Sequence, residues 1–245
     1  MKKIIEKICD NFVKKYNQDN NILGIMLFGS AARNKYDQYS DVDIYVLLKR
    51  KGQFSRRSFI SNGIRIDIIL DTVKETNRYL QEEKNNLRRI TSQMLASGKI
   101  IYQKTNMLSN IQSIARKNLT LKTKFTKEEI LMHKYSIDDF WGEVQRDIRK
   151  KNYLAFGLDS HLLMNNMIEL LLKLNREYLR QPNEMTKLLN TLDHKFGRNV
   201  ENFYKTNKIQ TKINILKFLI KYIYKKSHGS LPDKWVLKNV SFAKK

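Results

Sequence analysis

Two carboxylates one residue apart, Asp41 and Asp43, open the alternating stretch Asp41-Val42-Asp43-Ile44-Tyr45-Val46-Leu47-Leu48. On an extended strand, residues two apart leave the same face, so both carboxylates point together. No lysine or arginine lies between them to relieve their repulsion. A hard divalent cation does so, and Mg2+ on one or two carboxylates plus substrate phosphates is a common arrangement. Upstream stands Gly29-Ser30, separated from Asp41 by the ten residues 31–40. Gly29 lets the backbone turn sharply at a strand end and approach a ligand without a Cβ in the way. Ser30 places a hydroxyl where a helix is expected to begin, so that it and the first free N–H groups can hold phosphate oxygens. Asp67 sits between Ile66 and Ile68, where an ionised group needs a partner, and is the expected third member of the set.

The elements that must position these residues are legible from hydrophobic periodicity. Ile4, Ile5, Ile8, Phe12 and Val13 predict an amphipathic helix over residues 1–16. Ile22–Phe28 is a continuous apolar run ending in Gly29-Ser30, which predicts a buried strand meeting a turn. Asp41–Leu48 and Ile64–Leu70 predict two more strands, Lys99–Gln103 a short further one, and Thr72–Arg89 a polar helix. Beyond about residue 125 the strand signals stop. Thr126 with Glu129 forms a capping-box pattern opening a helix to about Lys150. Further helices are expected over Tyr153–Arg180, from Glu184 to near Gly197, and over Gln210–Ser227, where Ile213, Leu216, Ile220 and Ile223 form the buried stripe. The chain therefore divides into a mixed α and β domain over residues 1–110 and an α-helical domain over residues 111–245, joined near residues 106–126.

Composition bounds the partners. Hydrophobic residues make up 41% and charged residues 29%, a globular balance. Lys+Arg number 47 against 24 Asp+Glu, a formal charge of +23 that favours polyanions as a class. The single cysteine, Cys9, excludes a disulfide framework and a cysteine-based zinc site. The four histidines show no paired metal-ligand spacing. No apolar run approaches the ~20 residues of a membrane span, and the amino terminus reaches Glu6 before any secretory apolar stretch. A cytoplasmic protein without membrane attachment is expected.

The spacing Gly-Ser, ten residues, Asp-x-Asp, with a later strand aspartate, resembles the nucleotidyltransferase superfamily related to DNA polymerase β. The resemblance implies an α+β fold: a small mixed sheet flanked by helices, followed by a C-terminal α-helical bundle. It implies a nucleoside triphosphate, ATP or another, as substrate and two Mg2+ ions as cofactors, held by Asp41, Asp43 and Asp67. An acceptor hydroxyl then attacks the α-phosphorus in line and pyrophosphate leaves, with positioning and charge neutralisation supplying most of the acceleration. Gly29, Ser30, Arg33 and Ser40 are the expected contacts to the phosphates, although Arg33 also fits a solvated helix position and Ser40 a turn cap. Lys187 resembles a lysine that reaches the triphosphate in related enzymes. Asp67, or a carboxylate of the helical domain, takes the hydroxyl proton.

Size and plan look most like the antibiotic nucleotidyltransferases, which add AMP to lincosamide or aminoglycoside hydroxyls. Asp139, Glu143 and Asp147 lie at i, i+4 and i+8 on one helix. Such like-charge pairs cost about 0.2–0.5 kcal/mol each. The stripe is a candidate acceptor-binding face with Glu143 as a candidate base; pairing of Glu143 with Arg146 at i+3 is the competing account. Two alternatives are transfer to RNA or to a protein hydroxyl, and a non-turnover regulatory module of the antitoxin type. The charge favours RNA, but no arginine-rich tract or aromatic-interleaved strand face is evident in the sequence. Proteins of the antitoxin type share the Gly-Ser-x10-Asp-x-Asp spacing but lack a long helical second domain.

Overall fold

The computed structural model describes residues 2–237. The chain forms two compact units, Met1–Leu121 and Lys122–Lys245. The first holds a five-stranded mixed sheet of order β3-β4-β2-β1-β5, made of β1 (Ile22–Phe28), β2 (Val42–Leu48), β3 (Arg56–Ser61), β4 (Ile64–Thr72) and β5 (Lys99–Gln103). β1 runs antiparallel to β2 and β5, β2 parallel to β4, and β3 antiparallel to β4.

Both faces of the central strands are covered, which is why β1 and β2 read as nearly continuous apolar runs. On one face, Ile5, Ile8 and Phe12 of α1 (Lys2–Tyr16) pack against Ile25, Leu27, Ile44, Val46 and Ile68. On the other, Met26, Tyr45 and Leu47 meet Leu80, Leu95, Leu108, Ile111 and Ala115. These come from α3 (Val73–Glu83), α4 (Ile90–Ser97) and α5 (Met107–Thr120), while α2 (Gly29–Ala32) is a single turn after β1. Burial lifts the Tyr45 phenol well above its ordinary range. Its hydroxyl lies 2.5 Å from Thr76 Oγ1, and Thr76 itself donates to Thr72 O, so Tyr45 is left as the donor. Fully buried Arg89 donates to the carbonyls of Asn118 and Leu121 and so closes the end of α5. The segment expected to be the joint is thus largely a helix packed on the sheet.

The second unit is helical: α6 (Lys127–Lys150), α7 (Tyr153–Leu174), α8 (Pro182–Leu192), α9 (His194–Lys205) and α10 (Ile209–Lys226). The Thr126–Glu129 capping box is present. A polar seam joins α6 to α7, with Lys173 on Glu129 at 2.8 Å and His133 Nδ1 on Asn166 Oδ1 at 2.6 Å. Sequence reading joined α8 and α9 through Gly197. The break instead falls at Asp193, and Gly197 lies inside α9, where a Cβ would come within 2.8 Å of the Asn190 backbone nitrogen. Within α10, Ile215 and Leu219 join the buried stripe and Ile213 is only half-buried. Tyr153, the first residue of α7, is exposed, whereas Phe156 is buried.

Asp193 ties this unit together. Its carboxylate caps α9 by accepting from Phe196 N–H at 3.0 Å, and it accepts from the Tyr222 hydroxyl at 3.0 Å and Lys226 Nζ at 2.6 Å. Those bonds hold its carboxyl below the usual aspartate range against the cost of burial, and they hold Lys226 above the usual lysine range. Replacing a cap costs about 1 kcal/mol, and stranding hydrogen-bonded charged partners adds roughly as much again. Asp193→Ala is expected to lower the melting temperature at pH 7 by about 5 °C or more. A depressed folded-state pKa contributes stability above the unfolded value near 3.9 and loses it as pH falls through the folded value. The gap between wild type and variant therefore closes in acid; thermal melts giving the same gap at pH 7 and pH 3 would contradict this assignment.

Candidate active site

Strand register brings the acidic residues together. Phe28, the last residue of β1, is opposite Asp43 in the antiparallel pair, and Asp43 is opposite Asp67 in the parallel pair of β2 with β4. Asp41 directly precedes β2. One oxygen from each carboxylate of Asp41, Asp43 and Asp67 lies within 4.8 Å of the others, and all three residues are half-buried. Gly29 makes this approach possible. Its φ is +69°, and a Cβ there would run into Asp43 Oδ2 and stand 3.1 Å from Asp43 Cγ.

The three charges are mutually costly. Burial pushes the Asp43 carboxyl up to about 6, the Asp41 and Asp67 charges push the same way, and the Arg33 charge opposes them. Converging oxygen donors that repel one another when bare are the donor set that a hard divalent cation takes. Asp41, Asp43 and Asp67 would hold such a cation, which when bound supplies Lewis-acid polarisation and neutralises phosphate charge.

The remaining expected contacts are arranged as follows. Ser30 is half-buried in the single turn α2, and its carbonyl accepts from the N–H groups of Arg33 at 3.2 Å and Lys35 at 3.0 Å. Arg33 follows α2 and is near enough for its charge to act on Asp43. The Ser40 hydroxyl accepts from Asp37 N–H at 2.9 Å and donates to Asp37 Oδ1 at 3.1 Å, closing the turn that leads into Asp41.

Three expected residues belong to the helical unit. Asp139 is exposed on α6, Glu143 is half-buried and accepts from Arg146 Nε at 3.0 Å, and Lys187 is exposed on α8. The local Glu143–Arg146 pair that competed with a catalytic role is therefore formed. Asp159 of α7 was missed from the sequence because its contact with α6 is tertiary. Burial raises its pKa, the neighbouring Asp147 carboxylate adds to this, and Arg146 opposes. The Asp138 carboxylate accepts from the Tyr224 hydroxyl at 2.5 Å. A groove of about 280 Å³ lies between α6 and α10, lined by Trp141, Val144, Ile148, Ile213 and Lys217. Ser58 and Arg65 were also missed: Ser58 is the cross-strand partner of Asp67, and Arg65 Nη1 donates to Ser58 Oγ at 3.1 Å.

A mixed sheet bearing a glycine bend against three converging carboxylates is the arrangement that the resemblance to the polymerase-β-like nucleotidyltransferases implies. Residues 10–107 match the family described as polymerase beta, nucleotidyltransferase. Over 118 residues the chain is 28% identical to "Putative protein adenylyltransferase MJ1305" of Methanocaldococcus jannaschii, a match covering 44% of this chain and 78% of the relative. In fold it is similar to the crystal structure of a nucleotidyltransferase-like protein from Exiguobacterium sibiricum, with TM-score 0.50 and 14% identity over 89% of this chain and 74% of that one. The match over residues 10–107 lies within the first unit and supports a nucleotidyltransferase domain of the polymerase-β type there, followed here by a helical unit; the adenylyltransferase relative supports nucleotidyl transfer as the activity. No helix among the described residues is long and apolar enough to cross a membrane.

Proposed function

We propose that this chain is a cytoplasmic, Mg2+-dependent adenylyltransferase. It transfers AMP from ATP to a hydroxyl of a small molecule of the lincosamide or aminoglycoside class and releases pyrophosphate. The convergence of Asp41, Asp43 and Asp67 opposite the Gly29 bend carries this reading. In it, Asp41, Asp43 and Asp67 hold the divalent cations, while Ser30, Arg33, Ser40 and Lys187 contact the phosphates. Asp67 or Glu143 receives the hydroxyl proton. Asp139 and Glu143, with Asp159 beside them, supply the acidic surface that an amine-bearing acceptor needs on a chain of charge +23, while Asp147 of the same stripe is buried. The second reading is transfer to a protein hydroxyl, favoured by the printed name of the Methanocaldococcus relative, whose match spans 44% of the chain.

The test is pyrophosphate release from each of the four NTPs with Mg2+ or with chelator, in the presence of lincomycin, aminoglycosides, tRNA or a protein fraction. The expected result is Mg2+-dependent release that requires a small hydroxylated acceptor and is fastest with ATP. Label transferred to protein would establish the second reading instead. Nucleotide binding without turnover on any acceptor would overturn both.

A further inference from the structure

Between Asp43 and Asp67 the sequence holds six cationic residues, Lys49, Arg50, Lys51, Arg56, Arg57 and Arg65, and no Asp or Glu. The fold places Arg56 and Arg57 on β3 and Arg65 on β4 at one border of the sheet, while Lys49 and Arg50 follow β2 and bond to Asn21. β3 is the edge strand, bonded to β4 on one side only, and its residues from Arg56 to Ile60 are all exposed. Strand alternation puts Arg56, Ser58 and Ile60 on the face that carries Arg65 and Asp67, and Arg57 and Phe59 on the opposite face. Among the described residues, no carboxylate comes within ion-pair distance of Arg50, Arg57 or Arg65; the Arg56 charge acts on Asp71 without a close ion pair, and Lys51 reaches Glu75 at 3.8 Å.

Charge on an edge strand has a plain structural use, because it blocks pairing with the edge of another sheet. That use does not account for what stands between the charges. Phe54 is 63% exposed, Ile60 65% and Phe59 37%, and exposed apolar groups on an open edge favour the association that the charges would prevent. Arg57 lies over the Phe59 ring at 5.6 Å, so guanidinium and ring form one platform. Cations along an extended edge, interleaved with aromatic rings open to solvent, match the needs of a flexible polyanion with planar bases: phosphates meet the cations and bases stack on the rings. A folded duplex offers no bases to stack in this way, and an acidic peptide lacks a regular run of planar bases.

We propose that the β3 edge, with the loop carrying Phe54, is a docking surface for a single-stranded polynucleotide. The surface adjoins the acid triad through the Ser58–Asp67 pair, yet it is independent of which acceptor receives AMP, since docking needs neither nucleotide nor metal.

The experiment is fluorescence anisotropy of the full chain with a labelled 20-nucleotide single-stranded RNA, at several KCl concentrations and without ATP or Mg2+. The wild type is expected to bind with strong salt dependence. Arg56→Glu with Arg57→Glu should weaken binding at least 10-fold and lower the salt slope by about two. Phe54→Ala should weaken it about 5-fold or more with an unchanged slope, the mark of lost stacking. Reversing three lysines of the exposed α10 face, Lys217, Lys221 and Lys225 to Glu, changes net charge more and should affect binding less. Circular dichroism checks that each variant is folded. An equal loss from the α10 variant, no effect of Phe54→Ala, displacement by heparin or an acidic peptide as readily as by RNA, or no wild-type binding would each overturn the proposal. Loss of pyrophosphate release in Asp43→Asn with RNA binding intact would show that the two sites are separate functions.

Discussion

Asp43→Asn is expected to lower turnover by about 10³-fold or more and, at the same time, to raise the melting temperature of the metal-free protein. Both effects come from one cause. Asp43 is half-buried beside Asp41 and Asp67, and its carboxyl is pushed up to about 6 by burial first and by those two charges second. Folding therefore disfavours its ionised form. A folded-state pKa above the unfolded value contributes stability below the unfolded value, near 3.9, and loses it as pH rises through about 6. At pH 7.5 in chelator the wild type bears this penalty, of order 1–2 kcal/mol once solvent screening at a half-buried site is counted. Asparagine removes the charge at nearly constant volume, so the metal-free variant should melt a few degrees higher. Adding Mg2+ should then stabilise the wild type more than the variant, because the variant has lost an anionic ligand. The measurements are thermal melts of both proteins in chelator and in Mg2+ at pH 5 and 7.5, beside pyrophosphate release. A variant that melts lower than wild type in chelator at pH 7.5, or that keeps a tenth of the turnover, would refute the account of the triad.

The triad was legible in the sequence because strand chemistry is local. Alternation in Asp41–Leu48 fixes which side chains share a face, and Asp67 between two isoleucines marks a charge inside an apolar strand. Four strands and the capping box of α6 followed from the same short-range patterns. β3 did not, because Arg56–Ser61 is exposed on both sides and therefore carries no alternation. Its signal was the hairpin turn. Asn62 and Gly63 have φ of +52° and +75°, and Asn-Gly is the dipeptide that tight hairpins favour. Missing that strand also hid the Arg57–Phe59 contact on its edge. The α8–α9 break and the Asp147–Asp159 contact were illegible for another reason, since each is fixed by packing between different helices and not by a pattern within one. Asp193 reads as an ordinary polar residue until Tyr222 and Lys226 are placed beside it.

Gly29→Ala tests the other half of the site, and its expected cost has two separable parts. At φ +69° any side chain carries the left-handed penalty, about 1–2 kcal/mol. The added Cβ also collides with Asp43 Oδ2, so the carboxylate must rotate away from Asp41 and Asp67 or the β1–α2 bend must shift. Either movement spoils the ligand set, and turnover is expected to fall about 10²-fold or more with a higher Mg2+ requirement. Comparison with Asp43→Ala divides the two costs. With Asp43 truncated, the nearest remaining Asp43 atom is its Cβ at 3.4 Å, an ordinary contact, so the collision disappears and the backbone penalty stays. Gly29→Ala should therefore destabilise the Asp43→Ala background by about 1–2 kcal/mol, and the wild type by more. Denaturant melts of the four proteins in chelator give the coupling directly. Equal destabilisation in both backgrounds would mean that Gly29 serves the turn alone, and that the carboxylate and the bend are not built against each other.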